Sequence, residues 1–521
     1  MVEASDRADI PARFRATARR RGAAIAVHTD AGDWSFAALD RASDGVAAGL
    51  ADAGVGRGAR IGLLYANGVE FVIAHLAILK AGATLVPLNL LLNPLEMAYI
   101  LADSGAVGLV YHEAFERAAL EALAQAPGVG VRARIGAEPP ADAAVLDFAS
   151  LIQDPNPLAP ECLSDPDEAL AAILYTSGTT GRPKGAMLTH ANLTANGTAV
   201  AQALALTEAD RILVVLPMFH AFAATVGVMT PLLHGAGVVP VAKLEPRTIA
   251  QAIARHGATV FLGVPSLYGL LLRLDEAAVA QWRSVRIGVS GGAAMPSALM
   301  AAFESRFGLP ILEGDGPTEC GPVTCVNPVD GVRKRGSIGP PIPTVEIQIM
   351  DAQGQALPNG THGEVCVRGP SVMKGYHAQP EATREAFFGD WFRTGDLGYR
   401  DDDGYVYLVD RIKDLVITNG MNVYPRVIEE VLHAHPEVAE AAVVGDPDPR
   451  HGEVPVAYVV LRPESSATVV SLRDWCRARL GRHEVPRRLS ILDALPKNAA
   501  GKILKRELRR AGEHERGVVG P

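Results

Sequence analysis

Five cysteines in 521 residues are too few and too scattered to build a chain on disulfides. Cys162, Cys320, Cys325, Cys366 and Cys476 form an odd set in which only Cys320 and Cys325 are neighbours, without a metal-ligand spacing. Reduced thiols in a cytoplasmic protein are the expectation. Basic tracts are missing as well. With a net charge of −9 and no long Lys/Arg run, nucleic acid is not the expected partner, and an anionic ligand has to be met by local groups. Within the most hydrophobic region, Phe71 to Leu92, the residues His75, Lys80, Gly82 and Pro87 interrupt any span of the length a bilayer requires. The opening MVEASDRADIPARF lacks the apolar core of a secretory signal. No integral membrane segment is expected.

At this length and with 48% hydrophobic residues, the chain has more apolar material than one core can use, so two or more domains follow. Its first part reads as alternating helices and strands: a helix near Leu39 to Ala53, strand Arg60 to Leu64, a buried helix over 68–81, strand Thr84 to Pro87 and strand Val107 to Tyr111. Residues 126–168, rich in Pro, Ala and Asp, read as a loop-rich surface connection. Apolar strand Ala169 to Leu174 then runs into YTSGTTGRPKG, Tyr175 to Gly185, before a second strand. Gly178, Gly181 and Gly185 permit close approach of main-chain N–H groups to a polyphosphate, Thr176, Ser177, Thr179 and Thr180 add hydroxyl donors, and Lys184 adds a cation. The spacing and the absence of a following helix exclude the Walker loop.

Further along, apolar strands end in polar or glycine turns, the pattern expected where strand carboxyl ends form a ligand crevice. Ile212 to Leu216 leads to Pro217-Met218-Phe219-His220, Thr259 to Gly263 to Val264-Pro265, and Ser284 to Val289 to Ser290-Gly291-Gly292-Ala293. Next comes Glu313-Gly314-Asp315-Gly316-Pro317-Thr318-Glu319, in which a carboxylate beside a triphosphate is most simply a Mg²⁺ ligand. Residues 336–408 have the short alternating segments of antiparallel β structure, and Thr394-Gly395-Asp396 lies among them. The regime changes at Asp410 to Lys413; a compact last unit holds a helix opened by Pro425, strands Ala439 to Val444 and Val456 to Leu461, a helix over Ser471 to Leu480, and the loop PKNAAGK ending at Lys502.

Six of these motifs, in this order and over nearly the whole chain, resemble the adenylate-forming superfamily of acyl-CoA synthetases, peptide-synthetase adenylation domains and firefly luciferase. The resemblance implies an α/β protein with a large N-terminal domain (1–410) of two α/β sheets plus a β-barrel subdomain, and a small mobile α/β C-terminal domain (411–521). It implies that ATP is held by Thr176, Ser177, Gly178, Thr179, Thr180, Gly181 and Lys184, with Gly292, Ala293, Asp315, Gly316 and Thr318 near the adenine and Asp396 and Arg411 at the ribose. Glu319 carries Mg²⁺, Lys502 bridges the carboxylate and the α-phosphate, and Lys413 is the hinge. Asp315 stands where the family usually has an aromatic; it either accepts a hydrogen bond from the adenine amino group or turns away.

The acid pocket implied is His220 as gate with Phe222, Val226, Leu262, Ser290, Gly292 and Gly316, mostly apolar and without a cation for a second carboxylate. An apolar monocarboxylic acid, aliphatic or cyclic, fits. The reaction implied is formation of an acyl-adenylate with release of pyrophosphate, then transfer of the acyl group. CoA is the favoured acceptor, because Gly420 leaves room for a pantetheine arm; an amine or a carrier-protein thiol is the alternative. A non-catalytic paralogue would be expected to lose Lys502, Glu319 or Asp396, and a luciferase-like oxygenase shares only the adenylation half.

Overall fold

The computed structural model describes residues 8–154, 165–176, 182–498 and 501–510, so Cys162 and the loop residues Ser177, Gly178, Thr179, Thr180 and Gly181 lie outside the described residues. Two eight-stranded sheets, with the helices between their strands, occupy most of the chain. In the first, the order is Gly375–Tyr376, Lys184–Thr189, Leu170–Thr176, Thr84–Pro87, Arg60–Leu64, Gly108–His112, Val131–Ile135 and Leu146–Asp147. In the second it is Cys325–Val326, Ile311–Asp315, Ile287–Ser290, Val260–Gly263, Arg211–Val214, Gly237–Pro240, Ile25–Val27 and Trp34–Ser35. The central pairs of both sheets are parallel, while Lys184–Thr189 pairs antiparallel with Leu170–Thr176. Strands buried on both faces are continuously apolar, which is why Ile61 to Leu64 and Val260 to Gly263 contain no polar residue.

Helix Val69–Lys80 shows what joins the layers. All of its residues but Glu70 are buried, so it has no solvent face and belongs to the main core. Its one buried cation, the Lys80 ammonium, is fully satisfied by helix Phe36–Asp52: Nζ donates to Asp40 Oδ1 at 2.6 Å, Asp44 Oδ1 at 2.8 Å and the Asp40 carbonyl at 2.8 Å. Partners of this kind are what make a buried ammonium tolerable.

One reading is corrected. Residues 126–168 are not only loop, since Val131–Ile135 adds a parallel strand to the first sheet and Phe148–Ile152 a short helix. The alternation in VRARI is genuine: Ala133 and Ile135 are buried, while Arg134 pairs with Glu113 and Glu116 at 3.0 and 3.2 Å and Arg132 with Asp142 at 2.9 Å. The surrounding Pro- and Ala-rich composition masked a strand only five residues long.

An antiparallel five-stranded sheet follows, formed by Glu346–Met350, Gly363–Arg368, Phe387–Phe388, Trp391–Arg400 and Val406–Arg411. A single 3-10 turn, Ile412–Asp414, leads to the last sheet, of Met421–Val423, Val416–Thr418, Gly452–Leu461, Val438–Asp448 and Arg488–Ile491. That sheet has a core of its own, in which Ile428 and Leu432 of helix Pro425–His433 meet Val416, Val443, Ala457 and Leu472. Among the described residues no helix is long and apolar enough to cross a membrane.

Candidate active site

Segments after the carboxyl ends of three parallel strands of the second sheet, Arg211–Val214, Ile287–Ser290 and Ile311–Asp315, line one cleft. About 560 Å³ of space, part of it open to solvent, is lined by His220, Phe222 and Val226, by Ser290 to Gly292, by Gly314 to Gly316 and by Thr318. Of the seven residues expected in an acid pocket, six line this cleft. Leu262 does not: it is buried in strand Val260–Gly263, and its Cδ1 lies 3.2 Å from where a Cβ on Gly227 would be. Val200 and Leu204, from helix His190–Ala203 and its C-terminal end, contribute instead, with Val323 and Val326. A helix face gives no sign in sequence of which of its apolar residues meets a cavity and which meets the core.

Segment Ala223–Met229 is π-helical, and it brings Val226 to the cleft. Gly227 is required there, because a Cβ would come within 2.7 Å of Val214 Cγ2 on the sheet below. His220 precedes this segment. Burial first, and then the nearby Lys502 ammonium, push its pKa down to about 4, so the ring is neutral at pH 7. Its Nδ1 accepts from the Phe222 N–H at 3.3 Å, which leaves the ring proton on Nε2.

Glu319 sits in the short turn Thr318–Cys320, where the hydroxyls of Thr176 and Tyr376 both donate to its Oε1, at 3.3 and 2.9 Å. The Asn196 side chain fixes this turn from behind, donating to the carbonyls of Cys320 and Val323. Tyr376 carried no signal in sequence. Its strand pairs with Lys184–Thr189, and the Lys184 ammonium lies 5.1 Å from its ring centroid. Gly185 has a different part from the one its motif suggested: it is in the strand, paired with Tyr175, and a Cβ there would press on Ile173 Cγ2 at 2.7 Å and on the Tyr175 ring at 3.1 Å.

Asp396 lies within the long strand Trp391–Arg400 and not in a free turn. Directly across the ladder stands Arg411, whose Nε donates to Asp396 Oδ1 at 2.7 Å. Asp315 closes this group. Desolvation and the neighbouring Asp396 carboxylate raise its pKa, while Lys502, Arg411 and Arg426 oppose the shift. Lys502 is thereby surrounded: burial and the cations Arg411 and Lys413 lower its pKa, against Asp396 and Asp315. Its loop is anchored at both ends. The Lys502 N–H donates to Asn498 Oδ1 at 2.9 Å, and Ser266 Oγ donates to the Gly501 carbonyl at 3.4 Å. Gly501 has φ of +80°, and a Cβ on it would stand 3.0 Å from Ser266 Oγ and 3.1 Å from Val264 Cγ2, so glycine lets the last loop dock on the second sheet.

A family described as AMP-binding enzyme matches residues 14–377, and another described as AMP-binding enzyme C-terminal domain matches residues 427–502. The chain belongs to the AMP-binding enzyme family. Sulfoacetate–CoA ligase of Cupriavidus necator is 39% identical over 480 residues, covering 91% of this chain and 92% of that protein. Feruloyl-CoA synthase of an Amycolatopsis species is 38% identical over 477 residues, 91% of this chain and 93% of that one. Among solved structures, the amide bond synthetase McbA from Marinactinospora thermotolerans superposes with a TM-score of 0.88 at 30% identity, over 96% of this chain and 99% of that one.

The remaining expected residues are placed as follows. Gly292 (φ +77°) and Ala293 are exposed on the turn after strand Ile287–Ser290. Lys413 is in the 3-10 turn between the sheets, its pKa lowered by burial and by Arg411. Gly420 is apart from the cleft, exposed at the tip of the hairpin between Val416–Thr418 and Met421–Val423, with open space around it. Two charged residues escaped the sequence reading. Buried Glu313 accepts from the Met295 N–H at 2.9 Å, and Arg426, held by its N–H on Asp410 Oδ2 at 3.0 Å, faces Glu313 and Asp315 from the last domain.

Proposed function

We propose that this enzyme joins an apolar monocarboxylic acid to CoA through an acyl-adenylate. One observation carries the reading: Lys502, delivered by the last domain, lies among Asp315, Asp396 and Arg411 and beside His220, so the nucleotide side and the acid side of the cleft meet at a single cation. A carboxylate oxygen of the acid attacks the α-phosphorus of ATP, the bond to the pyrophosphate oxygen breaks, and the acyl-adenylate remains. Lys502 bridges the two anions as they approach, and Lys184 with the Thr176 to Lys184 loop holds the departing pyrophosphate. Such catalysis rests on positioning and on charges already in place. Asp396 accepts from the ribose hydroxyls, with Arg411 fixing its orientation, and the neutral His220 offers Nε2–H to the acid's carboxylate.

Glu319, a carboxylate held by two hydroxyl donors, is a hard oxygen ligand that fits Mg²⁺. The ion would offset polyphosphate charge there. In the second half the CoA sulfur attacks the acyl carbonyl carbon and AMP leaves. We take 1–410 and 411–521 as the two moving units, Lys413 as the pivot and Gly420 as the residue that admits the pantetheine arm once the small domain turns.

The lining argues for the class of acid. Apart from Lys502, which is taken up by the reacting carboxylate, no Lys or Arg is among the described residues that line the cleft, and a second anion such as a sulfonate would be desolvated without a partner. The acid named for the 39% identical relative is therefore not expected here, and an aromatic or aliphatic chain is. Likeness to an amide bond synthetase supports the second reading, in which an amine takes the acyl group. Pyrophosphate release over a panel of acids, repeated with CoA and with amines, tests both. Aryl or alkyl acids with CoA should be turned over; preference for sulfonated or dicarboxylic acids would overturn the proposed acid, and amide without thioester the proposed acceptor.

A further inference from the structure

Far along the second sheet from the cleft, two histidines from distant parts of the chain face each other. His28 directly follows strand Ile25–Val27 and opens the turn to Trp34–Ser35; His256 is the last residue of helix Pro246–His256. Their ring centroids are 6.1 Å apart, and a nitrogen of each lies, with an oxygen of Asp33, in a group whose atoms are all within 4.8 Å of one another. Both imidazoles are largely enclosed, with side chains 8% and 10% exposed, whereas Asp33 at 44% opens the group to solvent.

The backbone holds this arrangement. His28 N–H donates to the Val238 carbonyl at 2.9 Å, and the turn is closed by Gly32 N–H on the Thr29 carbonyl at 3.2 Å and Thr29 Oγ1 on the Gly32 carbonyl at 2.7 Å. His28 Nδ1 is 3.4 Å from Asp33 Oδ2, and His256 Nε2 is 3.0 Å from Asp30 Oδ1. Arg255 and Arg211 flank the group, the first paired with Asp30 at 2.5 Å and the second donating to the His256 carbonyl at 2.5 Å. Two carboxylates and two guanidiniums thus surround the pair of imidazoles, whose ring nitrogens select the ligand.

We propose that His28, His256 and Asp33 form a binding site for one divalent transition ion of the zinc, cobalt or nickel kind, stapling the 28–33 turn to the end of helix Pro246–His256. Nitrogen ligands favour these ions over Mg²⁺, which prefers oxygen. Ligands around a tetrahedral zinc at about 2.0 to 2.2 Å stand ~3.3 Å from each other; His28 and Asp33, at 3.4 Å, are already at that spacing, and no separation in the group exceeds 4.8 Å. The ion is structural, remote from the reacting atoms.

The test uses the full chain, stripped with chelator and kept in excess Mg²⁺ so that Glu319 is not the ligand being measured. Titrated with Co²⁺, the protein should take up one equivalent with the strong visible absorption of a tetrahedral ion, and Zn²⁺ should displace it and raise the melting temperature. Asp33→Asn and His256→Gln should each weaken uptake about 10- to 100-fold while adenylation in Mg²⁺ is unchanged. Asp33 is exposed, so its variant decides even if His256→Gln folds poorly. Absence of the absorption, equal affinity in Asp33→Asn, or loss of uptake in Glu319→Gln would each overturn the site.

Discussion

A single charged atom, Lys502 Nζ, has more of the site arranged about it than any motif in the cleft, because burial has made it costly and Asp315 and Asp396 offset that cost. Lys502→Ala should lower acyl-adenylate formation by roughly two to three orders of magnitude, the scale of one preorganised charge contact. Supplied with synthetic acyl-adenylate, the variant should still form thioester; equal losses in both half-reactions would take the lysine out of the first. Glu313 presents the opposite problem, a buried carboxyl whose Oε2 has no hydrogen-bond partner among the described residues. Burial raises its pKa from 4.5 to about 7, against the Met295 N–H and Arg426. A raised carboxyl pKa means the folded state holds the proton more tightly, so this stability is fully present below about pH 4.5 and is lost as pH rises through about 7. Glu313→Gln keeps the acceptor for Met295 and removes that loss. Urea unfolding at pH 5 and pH 8 should show the wild type losing about 2 to 3 kcal/mol more than the variant, and parallel pH dependence would show that Glu313 is not the group responsible.

At the level of elements, the hairpin between Val416–Thr418 and Met421–Val423 presents Gly420 at φ +76°, with no atom within 4 Å of where a Cβ would stand. A leucine there costs about 1 to 2 kcal/mol of local strain but meets no neighbour in the orientation that docks Lys502. Gly420→Leu should therefore adenylate normally and accumulate acyl-adenylate in the presence of CoA, as read by mass spectrometry of the products. Normal acyl-CoA yield would remove Gly420 from the acceptor's path. Elements also show where sequence reading succeeds. Arg60–Leu64 and Thr84–Pro87 were legible to the residue because both are almost uniformly apolar and flanked by turn residues. Val131–Ile135 was not, since five residues of alternation among prolines and alanines have too little periodicity to stand out.

For the whole molecule, the question is how one chain serves two half-reactions at one cleft. The 3-10 turn Ile412–Asp414 is the narrow connection, and the Leu415 N–H still reaches the Arg411 carbonyl at 3.2 Å across it. Proline at Lys413 fixes φ and restricts Ile412 as well. Lys413→Pro should retain adenylation better than thioester formation when each is timed in a single turnover, and wild-type rates for both would dispense with the pivot. By itself the sequence determined the family and the α/β class with a separate last sheet, and it set the expectations for Glu319, Asp396 and Lys502, because glycine spacing, apolar runs and fixed short motifs are local and survive without knowledge of neighbours. Only the tertiary structure decided that Tyr376 shares Glu319 with Thr176, that Gly185 serves the Tyr175 ring, that Leu262 belongs to the core and Val200 to the cleft, and that Arg426 meets Glu313. Each of those depends on side chains brought together from far apart in the chain, and a contact of that kind leaves no periodicity for a local pattern to carry.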